Sequence, residues 1–234
     1  MHYHKICINK IIRHEDFIGP LKLNYIRMKK LFVLVGVLLI AASTLTAQEM
    51  NLDQILEKHY KAAGLDKLQD VKTIIISGTI TTNVIMPIKY FKVRPNKYRM
   101  ERDVADITGL WIFDGQNGWT TAPWTDNPNP QVATGAALTD LQLQADFDGS
   151  IYNWKAKGHK AELVGVEKSD GSNVYRIKLI RNDGGIEYYL INANSFLLLK
   201  KISYKNNQGK DIEVENVFSD YRSVEGVMLA FDIV

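Results

Sequence analysis

Residues 91–124 read FKVRPNKYRMERDVADITGLWIFDGQNGWTTAPW, and this stretch decides the expected fold. It contains a strand ending in an Arg-Pro step at 94–95, a return strand with Tyr98 and Met100 on one face, and a strand that runs into Asp-Gly at 114–115. An Asp-Gly pair tolerates the positive φ of a tight hairpin turn, so we expect the aromatic run that follows to pair back as the next strand. The stretch therefore predicts a meander of antiparallel strands.

The same succession of strands and turns continues on both sides of this stretch. The predicted strands lie at residues 71–84, 88–93, 97–104, 109–113, 119–122, 162–168, 173–181, 186–192, 197–204, 211–218 and 227–234. Segments rich in Asn, Asp, Ser and Gly, at residues 169–172, 182–185 and 206–209, are typical of hairpin turns. Acidic and branched apolar residues alternate along several strands, which indicates one solvated face and one covered face. Sequential antiparallel pairing is the simplest topology for such a chain.

Two other segments favour helix. Asn51 is a candidate N-cap before LDQILEKHYKAAG, and Gly64 stands where a left-handed residue ends a helix. Residues 136–153 lack strand alternation, and they place Leu138 and Leu141 three residues apart, on one helical face. We therefore expect a mainly β (α+β) fold in which a long curved antiparallel sheet forms a half-open β-barrel covered by helices.

The amino-terminal residues carry the pattern of an export signal. A basic segment precedes an unbroken apolar run and then small residues, which predicts a signal peptide at 28–47 that is cut near Ala47/Gln48. The apolar run is shorter than the roughly 20 residues that a membrane-spanning helix needs. Residues 1–27 are then an upstream extension outside the mature protein. Residues 48–234 are expected to form a single domain.

Cysteine content and charge exclude several classes of protein. Cys7 is the single cysteine of the sequence, so the segment from 48 onward has no disulfide and no thiolate ligand or nucleophile. Seven of the 29 Lys and Arg residues but only two of the 26 Asp and Glu residues lie in 1–47. The remainder therefore carries a small net negative charge, which argues against nucleic-acid binding.

The order and spacing of the Arg-Pro step at 94–95, the Asp-Gly turn at 114–115 and Trp119 resemble those of the LolA-type periplasmic carriers, the outer-membrane lipoprotein-sorting proteins. The signal peptide, the long sheet and the helical insertion fit the same family, and the resemblance extends over residues 52–234. It implies a LolA-like or LolB-like half-barrel whose apolar cavity accepts the acyl chains of lipoproteins or similar lipids. Transfer would run through the periplasm to the outer membrane.

The resemblance also implies residue roles and partners. By position, Arg94 takes the part of a latch that contacts the helical lid, although a solvated arginine at a strand end is the alternative interpretation. The expected cavity residues are Phe91, Val93, Tyr98, Met100, Ile112, Trp119, Trp124, Leu138 and Leu141. The implied partners are acylated lipoproteins or lipids, an inner-membrane release complex and an outer-membrane acceptor, and the carrier is expected to be a monomer.

Catalytic motifs are missing from the sequence. From residue 48 onward the histidines are His59 and His159, which are isolated, and a metal site commonly needs three or four ligands. No G-x-S-x-G, H-E-x-x-H or P-loop motif occurs, so we expect neither an enzyme nor a cofactor. Two alternatives stay open: a hydrolase built on paired carboxylates, and an envelope sensor or interaction module that binds partners through its rim and the loop at 123–130. A cavity filled by the sheet's own side chains would favour the second.

Overall fold

The computed structural model describes residues 50–207 and 210–234. The predicted upstream extension at 1–27 and the signal peptide at 28–47 lie outside the described residues. Residues Met50–Val234 form one compact unit. Among the described residues, no helix combines the length and the apolar character needed to cross a membrane.

Three helical segments and the strands follow in chain order. The helices are α1 (Leu52–Ala63), a 3₁₀ helix (Leu65–Asp70) and α2 (Gly135–Ala145). The strands are β1 (Thr73–Thr81), β2 (Ile85–Val93), β3 (Lys97–Val104), β4 (Ile107–Phe113), β5 (Gly118–Thr121), β6 (Gln131–Val132), β7 (Lys160–Ser169), β8 (Ser172–Ile180), β9 (Ile186–Asn192), β10 (Leu198–Asn207), β11 (Lys210–Val224) and β12 (Val227–Ile233).

Helix α1 begins and ends as its sequence predicts. The Asn51 side chain accepts a hydrogen bond from the backbone N–H of Gln54, and the Gln54 side chain accepts one from the backbone N–H of Asn51, both at 3.0 Å. This reciprocal capping box satisfies two donors that the first turn would otherwise leave free. Gly64 ends the helix in the left-handed conformation, with a φ of 68°.

The strands form two antiparallel sheets within the described residues. The first sheet contains β1 to β6 and the second contains β7 to β12, and in each sheet every strand pairs with its neighbours in the chain. Neither sheet closes on itself, so the mainly β, half-open architecture expected from the sequence is confirmed. The short turns fix this topology, because they leave successive strands side by side.

Some elements differ from the sequence prediction at their ends. Helix α2 is shorter than the predicted insertion, since residues 146–158 form bends and turns. This segment begins with Asp146 and contains the pair Asp148-Gly149, residue types that favour turns over helix. Strand β6 was not expected, because two residues are too short to show any alternation. It pairs Val132 with Trp119 on β5.

Each helix packs on its own sheet. Helix α1 buries Ile55 and Leu56 against Ile177, Leu179 and Ile191 of the second sheet. Helix α2 supplies the second hydrophobic cluster, on the first sheet. A third, smaller cluster joins strands β8, β9 and β10 on a separate part of the second sheet. The space between α2 and the first sheet is therefore separate from the two clusters of the second sheet, and the candidate site lies there.

Candidate functional site

Strand register divides the first sheet into two faces. Met100 on β3 lies opposite Tyr90 on β2 and opposite Trp111 on β4, so these three side chains share one face. Helix α2 packs on the same side and buries Leu141 and Ala145 in the hydrophobic cluster there. We call this side the inner face of the first sheet and the opposite side its outer face.

A cavity of about 260 Å³ lies between the inner face and helix α2. It is lined by Tyr90, Tyr98, Met100, Trp111, Thr120, Ala137, Asp140, Leu141, Gln144 and Lys205. The lining is mostly aromatic and aliphatic with a few polar groups, which is the usual composition of a site for an apolar ligand. Its volume lies just below the roughly 300–1,000 Å³ of small-molecule pockets.

An exposed ion pair stands at the edge of this cavity. The Nζ of Lys205 on β10 lies 3.3 Å from a carboxylate oxygen of Asp140 on α2. About half of each side chain is exposed, so the pair is worth at most about 1 kcal/mol. It links the lid helix α2 to the second sheet without holding it firmly.

The structure brings five of the predicted cavity residues to the inner side. Tyr98, Met100 and Leu141 line the cavity, and Leu138 packs beside them. Trp124 does not line the cavity, but its ring lies 6.2 Å from that of Trp111, centroid to centroid. Trp111, which was not among the predicted cavity residues, lines the cavity and also contacts Trp124.

The other four predicted cavity residues lie on the outer face. Phe91 pairs with Arg99, Arg99 with Ile112, and Ile112 with Trp119, so these side chains form one row across the outer face. Val93 lies two residues beyond Phe91 and points the same way. Placing these four residues in the cavity needs a correction, because neighbours along a strand point to opposite faces. Tyr90 and Thr120 take their place, as the cross-strand partners of Met100 and Trp111.

Arg94 makes a dense set of contacts at the end of β2. Its guanidinium donates to both carboxylate oxygens of Asp148, at 2.7 and 2.6 Å. It also donates to the backbone carbonyl oxygens of Val71 and Leu68, at 2.8 and 2.7 Å, and it stacks 4.0 Å from the ring centre of Phe147. The hydrogen bonds that Arg94 donates to Asp148 raise the pKa of Arg94, so its guanidinium stays charged. Arg94 therefore connects the segment after α2 with the 3₁₀ helix and with Val71, the residue that follows this helix.

Two lysines hold the same segment. Lys157 lies 2.7 Å from the Asp146 carboxylate and donates to the carbonyl of Gly149. Lys92 donates to the carbonyl of Asp146 at 3.3 Å. Burial lowers the pKa of Lys92, against the attraction of Asp146. The carboxyl-terminal end of the lid helix is thus tethered by three cations, whereas no side chain caps its amino-terminal end.

A buried carboxylate stabilises the second sheet near this tether. Glu187 is only 2% exposed, and it pairs with Arg181 and Lys201 at 3.0 Å each. It also accepts a hydrogen bond from the Tyr189 hydroxyl. Burial alone would raise the pKa of Glu187, but Lys201, Tyr189 and Arg181 together lower it. The group is therefore an ionised structural carboxylate surrounded by partners.

The two histidines have separate structural surroundings. His59 on α1 is buried, and its Nδ1 donates to the carbonyl of Phe196 at 2.8 Å. Burial lowers the pKa of His59 despite this hydrogen bond, so the ring is neutral. His159 accepts a hydrogen bond from the backbone N–H of Asn182 through its Nδ1. In the described part of the chain, no group of three or more His, Cys, Asp or Glu side chains is placed to hold a metal ion.

Fold and site together define a class: a half-open antiparallel β structure with a helix over an apolar cavity. No family model matches the chain. No curated protein matches it either.

Among the solved structures to which the chain is similar are three bacterial proteins. A DUF1329 family protein from Desulfovibrio piger ATCC 29098 is 13% identical, with a TM-score of 0.49 and coverage of 75% of this chain and 83% of that chain. A LolA superfamily protein from Nitrosomonas europaea is 15% identical, with a TM-score of 0.47 and coverage of 79% and 84%. A putative outer membrane lipoprotein-sorting protein domain from Vibrio parahaemolyticus is 13% identical, with a TM-score of 0.46 and coverage of 76% and 84%. These are likenesses of fold.

Proposed function

We propose that this protein is a non-enzymatic carrier that binds the acyl chains of lipoproteins or similar lipids in the cavity under α2. The observation that carries the proposal is the cavity itself, whose lining is chiefly apolar and aromatic and whose roof is a single helix. Burying a methylene group is worth about 0.8 kcal/mol, so such a lining favours a hydrocarbon chain over a polar solute.

The small number of side chains that the lid helix buries supports a cavity that opens. Within α2 the buried side chains are Leu141 and Ala145, whereas α1 buries four residues. Exposing Leu141 costs about 1.5–3 kcal/mol, and exposing the Ala145 methyl costs about 0.8 kcal/mol more. Three to five methylenes of an entering chain would offset that cost at about 0.8 kcal/mol each. A long acyl chain can therefore displace the lid helix and enlarge the cavity.

Arg94 has the role of a latch in this proposal. It binds Asp148, three residues beyond the end of α2, through two charge-assisted hydrogen bonds. The tether fixes one end of the lid, while no side chain caps the other end, and the exposed pair between Asp140 and Lys205 joins the middle of the helix to β10. The lid would then swing about the Arg94 contact, and rupture of that contact would release it further.

Export and transfer complete the proposal. The predicted signal peptide at 28–47 supports a periplasmic location after cleavage near Ala47/Gln48. The resemblance of residues 52–234 to the lipoprotein-sorting proteins supports transfer of cargo from an inner-membrane release complex to an outer-membrane acceptor, with the carrier acting as a monomer.

The test is whether the purified protein retains acylated ligands and binds a fatty-acyl probe. Mass spectrometry of the native protein purified from the cell envelope should find acylated species, and a fluorescent fatty-acyl probe should bind it. Ala137→Trp places a large ring in the cavity lining and should weaken probe binding by at least tenfold. Ala136→Trp, at the preceding position of the same helix, which does not line the cavity, should leave it unchanged. Absence of acylated species together with no probe binding would refute the carrier and favour an interaction module on the same fold.

A further inference from the structure

We infer that Arg102 forms an anion-recognition site beside the cavity, so that the ligand is an amphiphile with an anionic head, either a carboxylate or a phosphate. This inference rests on the proposed function, because it assigns the polar end of the molecule whose hydrocarbon end occupies the cavity. Its evidence is the placement, packing and lack of partners of this one arginine.

Arg102 belongs to the same face as the cavity lining. It lies on β3 two residues after Met100, and it pairs with Ile88 on β2 and Gly109 on β4. Two residues of a strand span about 7 Å, so the arginine begins one side-chain row beyond the cavity. Trp111 is the wall between them, since it lines the cavity and also lies under the guanidinium.

Two indole rings position the guanidinium. Its central carbon lies 4.4 Å from the ring centre of Trp111 and 5.2 Å from that of Trp124. Trp124 can lie there because Gly109 has no side chain, as a Cβ at that position would come within 2.3 Å of the Trp124 ring. Stacking of this kind leaves the edge of an arginine free for hydrogen bonding. The site is thus built from β3, β4 and the loop after β5.

Arg102 lacks the partners that neighbouring cations have. Its Nε is buried without a hydrogen-bond partner, and in the described part of the chain the side chain makes no ion pair. The nearby carboxylates are occupied elsewhere: Glu101 pairs with Arg99, and Asp103 accepts a hydrogen bond from Thr108 at 2.7 Å. A buried donor without an acceptor is unfavourable, and it calls for a specific explanation.

An anionic head explains this arrangement. The planar fork of an arginine matches the two oxygens of a carboxylate or phosphate, and a charge-assisted hydrogen bond of this type is about twice as strong as a neutral one. The positive charge of Arg102 also acts on Tyr90 in the cavity lining. Burial raises the pKa of Tyr90, and the nearby charge of Arg102 lowers it by a smaller amount. A ligand with its hydrocarbon chain under α2 and its anionic end at Arg102 would satisfy both environments.

Binding of three lipids to the purified full-length protein tests the inference. Oleate carries a carboxylate, oleoyl lysophosphatidate carries a phosphate, and methyl oleate has a similar chain without charge. We expect at least one anionic lipid to bind tenfold or more tightly than methyl oleate, with a preference that weakens as salt concentration rises. The stronger of the two anionic lipids identifies the head group. Quenching of tryptophan fluorescence provides the readout.

Two variants show whether the preference for the charged lipid depends on Arg102. Arg102→Gln should abolish the preference for the charged lipid while leaving methyl oleate binding unchanged. Arg99→Gln, on the outer face of the same strand, should keep the preference. Equal binding of charged and uncharged lipids by the unaltered protein would overturn the inference yet leave the carrier proposal intact. Failure of all three lipids to bind would refute both. If Arg102→Gln does not fold, the comparison of the three lipids and its salt dependence still decide.

Discussion

Replacing Asp148 by asparagine removes the carboxylate that holds the proposed latch. The Arg94 and Asp148 side chains are 24% and 16% exposed, and two hydrogen bonds join them. An exposed ion pair is worth about 0–1 kcal/mol, whereas breaking a buried one costs about 3–5 kcal/mol. For this partly buried pair we expect a loss of about 2 kcal/mol. At roughly 2–4 °C per kcal/mol for a domain of this size, the melting temperature should fall by about 4–8 °C.

A double-mutant cycle with Arg94→Gln, Asp148→Asn and the double variant measures the coupling itself. Urea unfolding of the four proteins should give a coupling free energy of about 2 kcal/mol, because the two side chains share both hydrogen bonds. Lys155→Gln is the control, since its pair with Asp53 is largely exposed and its loss should cost less than about 0.5 kcal/mol. A coupling below about 0.5 kcal/mol would refute the estimate.

The entry rate of a ligand separates a latch from a simple structural contact. If the contact between Arg94 and Asp148 restrains the lid, Asp148→Asn should admit a fluorescent fatty-acyl probe several times faster in a stopped-flow experiment. Lys155→Gln should leave that rate unchanged. A destabilised Asp148→Asn protein with an unaltered entry rate would mean that the pair stabilises the fold without controlling access to the cavity.

Three further predictions follow from buried groups. Because burial lowers the pKa of His59, the unfolded chain protonates this ring more readily than the folded protein does. The urea midpoint should therefore fall as the pH drops below about 6.5, and His59→Gln should flatten that dependence between pH 7.5 and 5.5. Glu187→Gln leaves two cations with a neutral partner and should cost about 3–5 kcal/mol in urea unfolding; a loss under about 1 kcal/mol would contradict the structural role of the carboxylate. Gly109→Ala should displace Trp124, shift the tryptophan emission and cost about 1–3 kcal/mol, whereas Gly78→Ala, whose added Cβ meets its nearest neighbour only at 4.0 Å, should leave the emission unchanged.

Sequence determined the local structure of this protein. Helix α1 starts at Asn51 and ends at Gly64 because capping depends on residues within one turn of each end. The hairpin at Asp114 forms for an equally local reason, since its side chain accepts hydrogen bonds from the backbone N–H groups of Gln116 and Asn117. The antiparallel order of the strands followed from such turns.

The tertiary structure alone decided which side chains meet. Alternation along a strand defines two faces but does not say which is covered, so the sequence placed Phe91 and Tyr98 together although they point to opposite sides of the sheet. Arg94 was a candidate latch from its position, yet its partner Asp148 is 54 residues away and became visible only when the chain folded. The isolation of Arg102 likewise depends on where every neighbouring carboxylate points. Contacts between distant residues arise from packing, and no local pattern records them.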